Sequence, residues 1–199
     1  YAPFEWRTGR RVTIVAVEDG SSRPIVFQTT SASDADAIAC SNASTLTLVG
    51  LAVQGREGSG HGISASDCTL TLRDVALLNN GTSGLRVTGG TVELTDVTLL
   101  NNGDAGVRAT GGGDVTVRRS FVRGNEGGGL DLDGVRFTVE NTVIGGPGDG
   151  NGSPTSGVGG VRIAAAQPES RFVNNTVTHN LGGGTLADGV GCIGEAFPL

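Results

Sequence analysis

Two stretches of the chain, residues 75–90 and 97–112, carry nearly the same sixteen residues 22 positions apart. They read VALLNNGTSGLRVTGG and VTLLNNGDAGVRATGG. An echo of this period is typical of stacked structural units rather than of a duplicated domain. Such a unit buries its apolar face only against its neighbours, so we expect the same spacing of apolar residues in the rest of the chain.

The apolar positions repeat along most of the chain at intervals of 22–24 residues, with a longer interval of 34 at each end. Each unit has two runs of period two, such as TVELTDVTLL and GLRVTG, separated by glycine-rich turns. Period two predicts strands, and no unit has room for a crossover helix. Equivalent strands must therefore pair in parallel as successive coils of a solenoid. The equivalent inward positions are Ile14, Leu48, Leu72, Leu94, Val117, Val139 and Val173.

Composition limits the classes of protein that fit. Glycine accounts for 35 of 199 residues and aromatic residues for only 4%, which is typical of frequent turns and close backbone contacts. No break in composition divides residues 1–199, so we expect one domain, either complete or a segment of a longer chain. A net charge of −6 argues against nucleic-acid binding, and no apolar run approaches the ~18 residues of a membrane span.

An asparagine ends the first strand of four units and precedes the glycine-rich turn: Asn80, Asn102, Asn125 and Asn180. An inward asparagine needs partners for its amide, and the same residue in adjacent coils supplies them. This shared phase predicts a buried asparagine ladder along the solenoid axis.

These repeats resemble the right-handed parallel β-helix proteins of the pectin-lyase-like superfamily over about residues 12–190. The resemblance implies an all-β, right-handed parallel β-helix of about seven coils, with 22–24 residues per coil and two longer insertions. It also implies a secreted or cell-surface protein. All 14 basic residues are arginine and lysine is absent, a composition that indicates a bacterial origin. The superfamily includes lyases, hydrolases, epimerases, adhesins and spacers, so it does not decide the activity.

The solenoid register places charged residues in one outward column. Three arginines and two aspartates fall there or two positions further along: Arg86, Arg108, Asp131, Arg162 and Asp133. Arginine binds carboxylates bidentately, so the column predicts a groove for a polysaccharide rich in uronic acids. The structural alternative is a solvated face of Arg108–Asp131 and Asp131–Arg162 ion pairs.

The segment GHGIS, which contains His61, resembles a signature of polygalacturonases. The resemblance implies catalysis by carboxylates on the preceding coil, where SDADAIAC supplies Asp34 and Asp36, with Arg86 on the following coil. Three features depart from that family: its Asn-Thr-Asp stretch is missing, its adjacent aspartates are separated by one residue, and Thr88 replaces its lysine. Asp36 and His61 are the candidate catalytic residues. The structural alternative for His61 is a turn residue before an inward isoleucine.

The remaining candidates are a metal site and a disulfide. Asp149 and Asn151, in GPGDGNGSP, have the alternate spacing that can wrap calcium, although a glycine-rich loop also has this composition simply to turn the chain. The three cysteines cannot all pair. A Cys40–Cys68 bridge between coils and a reduced Cys40 in the core both remain open.

We therefore expect a secreted or cell-surface module that binds acidic polysaccharide, without nucleic-acid partners or a membrane span. A pectin-acting hydrolase or lyase and a structural spacer or adhesin are the alternatives. Exposed strand edges at the ends of a solenoid need a cover, and neither YAPFEW nor CIGEAFPL predicts a capping helix. Further chain, an irregular loop, and end-to-end or lateral self-association can each supply that cover.

Overall fold

A computed structural model describes residues 4–6, 9–17, 25–29, 36–55, 60–183 and 188–193. The described residues form short strands and no helix. In chain order the strands are β1 (Phe4–Trp6), β2 (Arg11–Val15), β3 (Ile25–Thr29), β4 (Ile38–Ser41), β5 (Thr45–Val49), β6 (Ala52–Gly55), β7 (Ile63–Ser66), β8 (Thr69–Arg73), β9 (Ala76–Leu78), β10 (Leu85–Thr88), β11 (Thr91–Thr95), β12 (Thr98–Leu100), β13 (Ala105–Thr110), β14 (Asp114–Arg118), β15 (Phe121–Arg123), β16 (Gly128–Asp133), β17 (Arg136–Glu140), β18 (Val143–Gly145), β19 (Val161–Ala164), β20 (Arg171–Val173), β21 (Thr176–Thr178) and β22 (Val190–Ile193).

Every third strand joins the same sheet, so the chain winds through three parallel sheets in turn. Sheet A runs β1-β4-β7-β10-β13-β16-β19-β22, sheet B runs β2-β5-β8-β11-β14-β17-β20, and sheet C runs β3-β6-β9-β12-β15-β18-β21. The two copies of the repeated segment are consecutive coils, with Leu85 opposite Val107 and Leu77 opposite Leu99. The all-β parallel solenoid predicted from the repeat is confirmed.

Alternation along each strand separates the core from the surface. In β11, Val92 and Leu94 are fully buried, whereas Thr91 and Glu93 are exposed. Their equivalents stack from coil to coil and form one apolar core along the axis. This stacking explains the near-identical repeat, because each inward side chain packs against its counterparts on the neighbouring coils.

The corner between sheets B and C turns through a single residue in the left-handed region. The residues at this position have φ between 46° and 56°: Asp74, Asp96, Arg119, Asn141 and Asn174. Asparagine and aspartate tolerate this conformation because their short side chains bond locally. One such residue per coil keeps the corner tight and the register constant.

The asparagine ladder is confirmed at all four predicted positions. Asn102 Oδ1 accepts hydrogen bonds from the backbone N–H and side-chain amide of Asn80, at 3.1 and 2.8 Å. Asn102 in turn donates to Asn125 Oδ1 at 2.7 Å. A fifth member that the sequence analysis missed, Asn151, connects Asn125 to Asn180 at 2.7 and 2.9 Å.

The last long interval contains a register error in the prediction. Phe172, not Val173, pairs with Val139, and Val173 is 39% exposed. Two long connections, residues 146–160 and 165–170, lie between Val139 and β20, so the inward position there cannot be counted from the regular period. Because successive strand residues point to opposite faces, one residue of shift exchanges the inward and outward sets.

The Cys40–Cys68 disulfide joins adjacent coils inside the core. Both cysteines are buried, and Cys192 is free and exposed. The structure thus decides between the two alternatives for Cys40 in favour of the bridge. Nowhere in the described ranges is there a helix with the length and apolarity to cross a membrane.

Candidate functional site

The outer face of sheet A carries the predicted charged column. Ser64, Arg86, Arg108, Asp131 and Arg162 are register partners on successive coils. Neighbouring strands lie ~4.8 Å apart, so each long side chain reaches the next coil. All five predicted polysaccharide-binding residues lie on this face, because Asp133 is two residues beyond Asp131 on β16.

Asp131 is the centre of an ion-pair network. Its Oδ1 lies 2.6 Å from a terminal nitrogen of Arg162, and its Oδ2 lies 3.4 Å from Arg108 Nε. Arg162 also donates to Asp133 Oδ2 at 3.2 Å. The hydrogen bond from Arg162 to Asp131 raises the pKa of the Arg162 guanidinium above its ordinary value. Asp131 is only 8% exposed, so both arginines compensate a nearly buried carboxylate, and the predicted ion pairs are confirmed.

Asp104 extends this network and was not identified from the sequence. Its Oδ1 accepts from Arg108 at 3.1 Å, and its Oδ2 accepts from the Ser83 hydroxyl at 3.0 Å. A signal for it exists in the repeated segment, since Asp104 replaces Thr82 and is the one charge change between the two copies. Asp104 thus gives Arg108 a carboxylate partner that Thr82, its equivalent in the first copy, cannot give to Arg86.

His61 lies at the corner between sheets C and A, at one end of the charged column. The backbone N–H of Ser83 donates to His61 Nδ1 at 3.3 Å, and the Thr82 hydroxyl lies 2.9 Å from the same atom. A backbone N–H can only donate, so Nδ1 is an acceptor and the neutral ring carries its proton on Nε2. Burial lowers the pKa of His61 below the ordinary 6.5. Asp36 acts against this shift, and Arg86 reinforces it.

Asp36 stands beside His61 but contacts its backbone rather than its ring. Asp36 Oδ1 accepts the His61 backbone N–H at 2.9 Å, and no hydrogen bond between the two side chains occurs among the described residues. The second aspartate of the polygalacturonase-like motif, Asp34, lies outside the described residues. The His61 ring is therefore held by hydrogen bonds to the next coil, and of the two aspartates of the motif the structure describes only Asp36 beside it.

Arg86 differs from the other arginines of the column. It is exposed, its register partners are Ser64 and Arg108, and it forms no ion pair with any residue that the structure describes. Like charges directly opposite each other destabilise a sheet. The pairing of Arg86 with Arg108 therefore does not stabilise the sheet by charge attraction.

The two predicted calcium ligands, Asp149 and Asn151, lie in different environments. Asn151 is fully buried, and its Oδ1 accepts two hydrogen bonds from Asn125 while its amide donates to Val122 O and Asn180 Oδ1. Asp149, by contrast, is exposed. The glycine-rich insertion carries a ladder residue into the core, so its alternate polar spacing does not produce a ring of ligands. The described residues contain no cluster of three or more metal-ligating side chains.

The insertion at residues 146–160 forms one wall of a cleft beside Asp131. The cleft measures about 260 Å³ and is lined by Asp104, Arg108, Gly127, Asp131, Ser156, Gly157, Val158 and Arg162. Its charged wall comes from strands β13, β16 and β19 and from Asp104 in the turn before β13. Its other wall comes from the insertion. The sequence predicted the charged wall, but no sequence signal predicted that residues 156–158 would face it.

Comparisons with known proteins identify the fold family only. A family model described as the right-handed β-helix region matches residues 36–193. Neither the curated proteins nor the solved structures gave a match.

Proposed function

We propose, from the premise that this chain belongs to the right-handed β-helix family, that it is a binding module for a polysaccharide that carries acidic groups. The binding surface is the outer face of sheet A. The observation that carries the proposal is Arg86, an exposed arginine with a neutral neighbour on one side and an arginine on the other.

The charge pattern supports Arg86 as the anchor for the acidic group. Arg108 and Arg162 already compensate Asp104, Asp131 and Asp133. A uronate that displaced Asp131 from Arg162 would leave a nearly buried carboxylate with fewer partners, which is costly. Arg86 has no such competitor in the described part of the chain, so its guanidinium is available for a bidentate bond to a carboxylate or sulfate.

Secretion or display at the cell surface is part of this proposal. The Cys40–Cys68 bridge supports it, because disulfides persist in oxidising compartments and are rare in the cytosol. A polymer too large to enter a cell is accessible to the module in such a compartment.

The test is binding to polygalacturonate, with dextran as an uncharged reference polymer, measured by titration calorimetry at low and moderate salt. Wild type should bind polygalacturonate and not dextran. Arg86→Ala should weaken that binding about tenfold or more, because a hydrogen bond to a charged group contributes roughly 1.5–3 kcal/mol. The residual binding should depend less on salt, because a screened ion pair is lost.

Arg73→Ala is the matched control. Arg73 is an exposed arginine at the end of β8 in sheet B, so its removal changes the net charge equally on another face. If Arg73→Ala weakens binding as much as Arg86→Ala does, the attraction is due to overall charge and the proposed surface is wrong. If wild type binds no acidic polysaccharide, the function itself is rejected.

A further inference from the structure

We infer that the cleft beside Asp131 is a subsite for an uncharged sugar ring, so that the bound polymer alternates acidic and neutral sugars. This inference rests on the proposed function, because it places the neutral ring next to the acidic group that Arg86 binds. It assigns a substrate class to the face: a heteropolysaccharide rather than a chain of uronic acids only.

The charged side chains of the cleft neutralise one another. Two aspartates, Asp104 and Asp131, face two arginines, Arg108 and Arg162, at distances of 2.6 to 3.4 Å. The four formal charges cancel, so the cleft offers no net attraction to an anion. Each arginine already has a carboxylate partner, and a ligand carboxylate would have to compete with it.

The same arrangement suits hydroxyl groups. A carboxylate only accepts hydrogen bonds and a guanidinium only donates them, whereas a sugar hydroxyl does both. Two neighbouring hydroxyls can therefore donate to an aspartate and accept from the adjacent arginine without displacing either. Val158 adds an apolar contact for the C–H groups of the ring at the wall of the cleft.

The size of the cleft and its distance from Arg86 fit one sugar ring next to the acidic group. At about 260 Å³, the cleft is smaller than the roughly 300–1,000 Å³ of pockets that enclose a drug-sized ligand. It therefore fits one ring of a longer chain. Arg86 lies one coil before Arg108, the first arginine of the cleft, so the acidic and neutral positions are neighbours along the solenoid axis, ~4.8 Å per coil.

Gly157 provides a direct way to close the cleft. It is exposed, it lines the cleft, and a Cβ built on it would meet no atom within 4 Å. Its φ lies outside the left-handed region, so the backbone accepts a larger residue. Gly157→Leu should fill the cleft while leaving the fold and Arg86 intact. Thr155→Leu is the matched control, since Thr155 is exposed on the same insertion but does not line the cleft.

The experiment measures the dissociation constants of wild type and both variants for two polymers. Polygalacturonate carries a charge on every sugar, and hyaluronan alternates glucuronate with an uncharged N-acetylglucosamine. Wild type should bind hyaluronan at least tenfold more tightly than polygalacturonate. Gly157→Leu should abolish this preference by weakening hyaluronan binding alone, and Thr155→Leu should change neither constant by more than twofold.

Other outcomes separate this inference from the proposed function. If wild type binds polygalacturonate through Arg86 but binds hyaluronan no more tightly, the heteropolysaccharide inference is overturned and the proposed function stands. The inference is also overturned if Gly157→Leu leaves hyaluronan binding unchanged or weakens both polymers equally. If wild type binds neither polymer, both proposals are overturned.

Discussion

Two polar columns run along this solenoid, one inside and one outside, and they follow opposite rules. The buried column repeats one residue, asparagine, on five successive coils. The outer column of sheet A alternates charge from Arg108 to Asp131 to Arg162. An amide both donates and accepts, so identical amides satisfy one another, whereas identical charges repel.

The difference shows where function can be sought in such a fold. Inside, a departure from identity leaves a buried polar group without a partner and destabilises the fold. Outside, a departure from alternation is tolerated because water screens it. The Arg86–Arg108 neighbours are such a departure, and they lie beside the cleft formed by the insertion. The exposed column is therefore the place where sequence can serve binding rather than folding.

The largest expected effect is in the buried column. Asn102→Ala removes the acceptor of two Asn80 donors and the donor to Asn125 and to Leu77 O. Because each stranded buried group costs roughly 1–3 kcal/mol, we expect a loss of about 3 kcal/mol in the free energy of unfolding, measured by urea denaturation. Asn101→Gly is the control, since Asn101 is exposed with a φ of 55° that glycine adopts freely. A loss below about 1 kcal/mol in Asn102→Ala would mean that the ladder adds little.

A smaller effect is expected in the outer column. Asp131→Asn keeps the shape but removes the charge that Arg108 and Arg162 share. Exposed ion pairs contribute ~0–1 kcal/mol and broken buried pairs cost ~3–5 kcal/mol. Asp131 is nearly buried and Arg108 is partly exposed, so we expect a loss of about 1–2 kcal/mol by the same measurement.

Asp114→Asn is the comparison variant for Asp131. The Asp114 carboxylate pairs with Arg136 on the outer face of sheet B, and both side chains are substantially exposed. Its substitution should change stability less than Asp131→Asn does. Equal losses would mean that burial does not distinguish the ion pairs of Asp131 on sheet A from the Asp114–Arg136 pair on sheet B.

Regular spacing explains which parts of this structure could be predicted. The strands and core of the regular coils follow from a period of 22–24 residues, as do Asn80, Asn102 and Asn125 of the ladder and Arg86, Arg108 and Asp131 of the outer column, whereas Asn180 and Arg162 lie beyond a longer insertion. Asn151 was missed as a ladder residue because it follows Asn125 by 26 residues, outside that period. The register at Phe172 and the cleft wall at Gly157 were missed for the same reason. Periodicity fixes residues that stack, whereas an insertion is held by contacts that have no counterpart in the other coils.

The smallest effect concerns His61, where the outer column meets the corner between sheets C and A. Burial lowers its pKa below the ordinary 6.5 of the unfolded chain, so the folded state binds this proton less readily. The resulting stability is fully present above pH 6.5 and is lost as the pH falls from there through the lower pKa of the folded state. Protonation of Nδ1 would also break the hydrogen bond from the Ser83 N–H.

The variant His61→Asn tests this effect, because it keeps a hydrogen-bond acceptor but cannot titrate. We expect the difference in urea midpoint between wild type and His61→Asn to shift against wild type between pH 7.5 and 4.5. Taking the difference cancels the carboxylates and His179, which both proteins share. A difference that stays constant across that range would show that His61 titrates alike in the folded and unfolded chains, contrary to this prediction.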